Sequence, residues 1–215
     1  MQSKVILITT AILIIAPVVF FFACDFGNLP AGKRLLASVF QSVTTRTAGF
    51  NTEDLSLMTE AGKAVMILLM LIGGSPSSTA GGMKTTNIAV LILNALATFR
   101  SREDAGAFGR RFDGQVVKNA ATIAMMYFML FFFGGITISV YEGLPLLTCL
   151  YEAASAVGTV GLTLGITPEL HIISRLILIA LMYLGRVGGM TLIYAVFSRK
   201  NNNGAKMPLE KITVG

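Results

Sequence analysis

The apolar and polar positions of this chain sort into long uncharged runs separated by short, densely polar segments. Val5 to Cys24 is a 20-residue run without a charge, flanked by Lys4 and Asp25, and is long enough to cross a bilayer once. It exceeds the apolar core of a signal peptide, about 7 to 15 residues, so it is predicted to be a true span, kinked at Pro17. Asn119 to Tyr141 is a second span of 23 uncharged residues. Two other runs, Ala31 to Thr44 and Leu146 to Val157, are too short to cross a core of about 30 Å. A helix of that length must enter the membrane and return, and Pro30 suits the first turn of one. Its terminal carbonyls then carry about half a negative charge into the membrane, which favours a cation just beyond them. The extended backbone that follows is stable only if it is buried in protein or lines water.

Asp54 to Phe99 contains 46 residues, about 69 Å as one helix, so it must break. Gly73-Gly74-Ser75-Pro76-Ser77-Ser78-Thr79-Ala80-Gly81-Gly82 marks where. A hairpin of two spans would put Arg100, Arg102, Arg110, Arg111 and Lys118 on the same side as Asp25, Glu53 and Asp54, against the positive-inside bias. A single broken crossing, with its glycine-rich loop at membrane depth, keeps the basic connection cytoplasmic and is preferred. A flexible linker is the plainer reading of that loop. A phosphate-binding loop is discounted, because Met83 precedes Lys84 where that motif needs glycine. His171 to Phe197 is the last crossing, interrupted at Gly185-Arg186-Val187-Gly188-Gly189, and it leaves a basic tail from Ser198 to Gly215. Both termini are then cytoplasmic.

These elements occur twice. At an offset of 112, Thr47-Ala48-Gly49-Phe50-Asn51 falls on Thr159-Val160-Gly161-Leu162-Thr163, and Ile67, Met70 and Gly73 fall on Ile179, Met182 and Gly185. Each copy is preceded by Leu-Pro, at Leu29-Pro30 and Leu144-Pro145, with a spacing to the glycine that differs by three. The chain therefore reads as an all-α membrane protein with four spans, built from two repeats of span, re-entrant pore helix, filter strand and span. Residues 1–99 and 119–198 are the two units, and 100–118 is the cytoplasmic connection.

Composition agrees with a membrane class: 54% hydrophobic and 13% charged residues, about half the usual charged fraction of soluble domains. The net charge of +6 marks the cytoplasmic side rather than a nucleic-acid partner, because of where the basic residues stand. Cys24 and Cys149 match neither metal nor disulfide spacing, and a single histidine, His171, argues against an enzyme. Two charges at depth require partners. Glu152 lies on the second pore helix, and Arg46 beside the first filter strand is expected to brace that strand, with Glu152 as its candidate partner. Arg186, near the middle of a span, is expected to satisfy helix-end carbonyls, to act as an electrostatic barrier, or both.

The segments Ser42 to Asn51, Ile72 to Thr85, Gly158 to Thr163 and Gly185 to Gly188 together resemble the third and fourth repeats of the Trk/Ktr/HKT potassium transporters. The ending Pro208 to Gly215 is more similar to the Ktr-type membrane subunit. The resemblance implies four pore units around one path in the plasma (inner) membrane, with Gly49 and Gly161 giving two of four filter glycines. Carbonyls of Thr47, Ala48, Gly49, Phe50, Thr159, Val160, Gly161 and Leu162 would replace water around a dehydrated K+. The stretch with Gly73, Gly74, Gly81, Gly82 and Lys84 would be the intramembrane gate, faced by Arg186. It also implies a homodimer docked on a cytosolic nucleotide-binding ring of the RCK type, with no covalent cofactor. A closed filter needs four walls and this chain has two, so either a missing N-terminal half or a second copy completes it; the half is favoured. Transport of Na+, and a non-conducting regulatory or assembly role, are the alternatives.

Overall fold

The computed structural model describes residues 1–102 and 104–188; the expected end of the last crossing, Gly189 and the basic tail with its Ktr-like ending lie outside them. The described residues form seven α-helices: α1 (Gln2–Cys24), α2 (Ala31–Thr44), α3 (Glu60–Leu71), α4 (Thr85–Phe99), α5 (Gly114–Glu142), α6 (Leu146–Val157) and α7 (Ile172–Val187). One departure from an all-α chain is a small antiparallel hairpin in the hydrophilic connection, β1 (Gly106–Ala107) with β2 (Arg110–Arg111). Phe108 and Gly109 both take positive φ, 53° and 74°, which is the backbone of a two-residue hairpin turn.

The helices α1 and α5, of 23 and 29 residues, are long and apolar enough to cross a membrane. Only 17% and 33% of their most apolar windows are buried, so neither is the core helix of a soluble protein. The chain stays helical through Pro17, which deprives the Leu13 carbonyl of its usual donor. The next carbonyl, Ile14, accepts from Ser42 Oγ at 2.9 Å, so α2 docks beside that weak point.

The break after α3 is resolved by the direction of the chain. Ile72 and Met83 form a parallel bridge, with Gly73 N–H on Met83 O at 2.8 Å and Met83 N–H on Leu71 O at 3.0 Å. A hairpin would bring the chain back antiparallel. Here it leaves, makes a closed excursion and resumes in the same sense at Met83. Both α3 and α4 pack against α1.

The two halves of the chain repeat in space. A 3-10 turn at Leu55–Leu57 precedes α3, and one at Thr167–Glu169 precedes α7; turns and helices alike start 112 residues apart. The same clasp joins the end of the first long helix to the start of the later one in each half, α1 to α3 and α5 to α7. Asp25 Oδ1 accepts from the N–H and hydroxyl of Thr59, the residue before α3, at 2.9 and 2.8 Å. Glu142 Oε1 accepts from the N–H of His171, the residue before α7, at 2.9 Å, and its Oε2 lies 2.7 Å from His171 Nδ1. Each carboxylate thus caps the positive end of a helix, α3 or α7.

The halves differ in burial. From Tyr151 to Val157 every residue of α6 is buried, because α3, α5 and α7 all pack on it. In contrast, α2 packs chiefly on α1 and leaves Leu35, Leu36, Val39 and Val43 bare.

Candidate ion-conduction site

Beyond each short helix the backbone turns its N–H groups back onto that helix. Ala48 and Gly49 donate to Thr44 O at 3.2 and 3.1 Å, while Thr159 donates to Ala156 O at 3.0 Å and Val160 to Ser155 O at 2.9 Å. Gly161 N–H is held by Ser155 Oγ at 3.2 Å. The φ angles match between copies: Thr47 (65°) with Thr159 (51°), and Gly49 (75°) with Gly161 (94°), whereas Ala48 and Val160 between them are negative. Alternating left- and right-handed residues align successive peptide dipoles, placing the N–H groups on one side and the carbonyls on the other. The N–H groups of Ala48, Gly49, Thr159, Val160 and Gly161 are thus all spent on the preceding helix. Among the described residues, the carbonyls of Thr47, Ala48, Gly49, Thr159, Val160, Gly161 and Leu162 accept no hydrogen bond. Phe50 departs from the expected row: Thr44 Oγ1 donates to its carbonyl at 2.6 Å. Outside the row, Ser56 donates to Asp54 from its hydroxyl and N–H and holds that carboxyl below the usual range.

The two segments adjoin. A Cβ placed on Gly49 would stand 2.0 Å from Val160 O and 3.6 Å from Gly161 Cα, so only glycine allows the approach. Thr47 Oγ1 reaches Gly158 O at 3.4 Å from the other copy.

The glycine-rich loop packs against the base of the second segment. A Cβ on Gly81 would stand 2.2 Å from Thr159 Oγ1, and Gly73, Gly81 and Gly82 are buried. Gly74 O accepts from Thr85 N–H at 3.1 Å, which ties the loop to the start of α4. Two cations hold the middle of the loop by its carbonyls. Lys84 Nζ donates to Ala80 O at 2.6 Å and Ser78 O at 3.3 Å, and Arg186 donates to Thr79 O. Three successive carbonyls of the loop are thus held by Lys84 at its own end and by Arg186 from α7.

Arg46 and Glu152 are not partners, which corrects the expected pairing. Arg46 donates to Gly73 O at 3.2 Å and so ties the first segment to the loop. Glu152 instead accepts from Thr163 Oγ1 at 2.7 Å, Leu164 N–H at 2.9 Å and Thr167 Oγ1 at 2.8 Å, all beyond its own segment. A buried carboxylate is satisfied as well by three donors as by a cation, and its nearest donors lie in its own repeat. Glu152→Gln should therefore lower stability by about 1 to 3 kcal/mol, since two charge-assisted bonds weaken and one acceptor becomes a donor. Thermal unfolding in detergent measures this, and an unchanged midpoint would refute the role. Combined with Arg46→Gln, the losses should add, because no hydrogen bond or ion pair links the two sites.

Sequence reasoning missed Thr44 and Ser155, which anchor Phe50 and Gly161. Their signal was a hydroxyl in the last turn of each short apolar helix, where such side chains bond nearby backbone.

Residues 1–204 match the model of a family described as TrkH, cation transport protein. The chain is 38% identical to the potassium/sodium uptake protein NtpJ of Enterococcus hirae, over 100% of this chain and 50% of that protein. With Ktr system potassium uptake protein B of Bacillus subtilis it shares 34% identity, over 88% of this chain and 42% of the relative. It thus spans about half the length of these curated relatives. The potassium transporter TrkH of Vibrio parahaemolyticus has a similar fold, with a TM-score of 0.71 over 87% of this chain and 43% of that one, at 21% identity. A match over nearly the whole length places this chain in a family of transporters rather than enzymes: it belongs to the TrkH family of cation transport proteins.

Proposed function

We propose that this chain supplies half of a selective path for potassium uptake across the plasma membrane. The observation that carries this reading is the pair of backbone segments, Thr47 to Gly49 and Thr159 to Gly161, that adjoin with matched φ alternation and unpaired carbonyls. In a low-dielectric setting such oxygens are costly unless a cation replaces the missing donors. Relatives named for potassium uptake support K+ as the cargo, and the potassium/sodium name of NtpJ keeps Na+ as a second candidate.

Because the relatives are about twice as long, an N-terminal half is favoured for the remaining walls over a second copy of this chain. Within it, α3 of the first repeat packs against α6 of the second. Continued around a ring, that pattern needs an inner helix on the bare face of α2 and a pore helix on the exposed face of α7, where Leu176, Ile179, Met182 and Tyr183 stand free. The relatives, about twice as long, have room for both. In this reading α1, α5, the α3–α4 pair and α7 are the four crossings, both termini are cytoplasmic, and the α3–α4 loop is the gate. A homodimer on a cytosolic RCK-type ring completes the assembly.

Co-expression is the test. Potassium-dependent growth of an uptake-deficient cell should be rescued by this chain together with the N-terminal half, and not by this chain alone. Rescue by the chain alone would overturn the half-path reading. Assembly of both halves without any rescue would favour a non-conducting subunit.

A further inference from the structure

At the end of α4 a cavity of about 320 Å³ opens between that helix and the β1–β2 hairpin. Its volume is at the low end of ligand-sized pockets. Among the described residues four guanidiniums line it, from Arg100, Arg102, Arg110 and Arg111, against one carboxylate, Asp104, which lies 3.4 Å from Arg111. Among the described residues Arg100, Arg102 and Arg110 have no side-chain partner. The floor is apolar: Leu93, Leu96 and Ala97 of α4 and the ring of Phe108. That ring sits at the hairpin tip with φ 53°, a strained setting for a bulky residue, and Lys4 Nζ stands 5.7 Å from its centre as a further cation. Leu96 and Phe99 continue the apolar floor along α4, 44% and 85% exposed.

We propose that this cavity binds the phosphate of an anionic phospholipid, with the acyl chain lying along Leu93 and Leu96. A soluble phosphate needs the arginines but not the floor, and a neutral lipid needs the floor but not the arginines. Only an anionic amphiphile uses both, and it meets them where an apolar helix ends in a basic turn. The inference rests on the membrane setting of α4 alone, so it stands or falls independently of ion conduction.

Binding to the assembled transporter that contains this chain is read by native mass spectrometry, with dioleoyl phosphatidylglycerol, dioleoyl phosphatidylcholine and glycerol phosphate as probes. Phosphatidylglycerol should bind and phosphatidylcholine should not. Arg102→Gln with Arg110→Gln should weaken phosphatidylglycerol about 30-fold, at roughly fivefold per charge removed near the surface. The paired lysine variants, which keep the charge, should bind within a few-fold of the wild type and show that the hairpin still folds. Equal binding by the glutamine variant would overturn the proposal. Displacement by glycerol phosphate at the lipid's own concentration would overturn it in favour of a free-phosphate site. No binding of phosphatidylglycerol by the wild type would overturn it in favour of a protein contact.

Discussion

Replacing Gly49 by alanine should abolish potassium uptake while leaving most of the helix packing intact. The new methyl would stand 2.0 Å from Val160 O, so one of the two segments must shift by more than an ångström. The residue also holds φ at 75°, where a side chain costs about 1 to 2 kcal/mol. Relief of the clash adds roughly 1 to 3 kcal/mol of overpacking. A rigid ring of carbonyls is matched to one bare ion, and displacement of one oxygen row by that distance removes the match. Uptake of 86Rb+ by cells carrying the assembled transporter should fall at least 100-fold, an increase of about 2.7 kcal/mol in the barrier. Near-normal uptake with alanine at this position would refute the filter assignment. Gly161 provides the contrast: its Cβ would meet nothing within 4 Å, so only its φ of 94° opposes alanine, and Gly161→Ala should cost less.

Removal of Ser75 to Ala80 should raise flux about tenfold or more. Those residues carry the three carbonyls held by Lys84 and Arg186, and the loop is lodged against Thr159 at the base of the second segment. Arg186→Gln should act in the same direction but less, because it removes a cation beside the proposed path while Lys84 still grips Ser78 and Ala80. A tenfold rise corresponds to about 1.4 kcal/mol of barrier, a modest part of the repulsion between two charges in a wet protein setting. Ion flux into liposomes reads the effect, with size-exclusion chromatography to confirm assembly. A correctly assembled deletion with unaltered flux would return the loop to the role of a linker.

The family, the helical class and the doubling at 112 were legible in the residues because each rests on local chemistry. Uncharged runs must be helical where lipid satisfies no backbone group, and Gly49 and Gly161 mark positions where φ is positive. The hairpin at Gly106 to Arg111 was not legible: its strands are two residues each, below any detectable alternation. The partner of Arg46 was misread for a different reason. Charge complementarity in a sequence names an opposite charge, yet Arg46 is held by Gly73 O and Glu152 by two hydroxyls and an N–H. Backbone acceptors and neutral donors are everywhere along a chain and carry no signature.

By itself the sequence determined which stretches are helices, where they must break, and that the unit is repeated, since propensity, charge and glycine act within a few residues. Only the tertiary structure decided that Ile72 and Met83 run parallel, that Gly49 meets Val160, and which groups satisfy each buried charge. Those outcomes depend on close approach between residues that are 11 to 27 positions apart for the loop and the buried charges and 111 apart for Gly49 and Val160, where packing density and the search for every buried donor and acceptor select one arrangement among many.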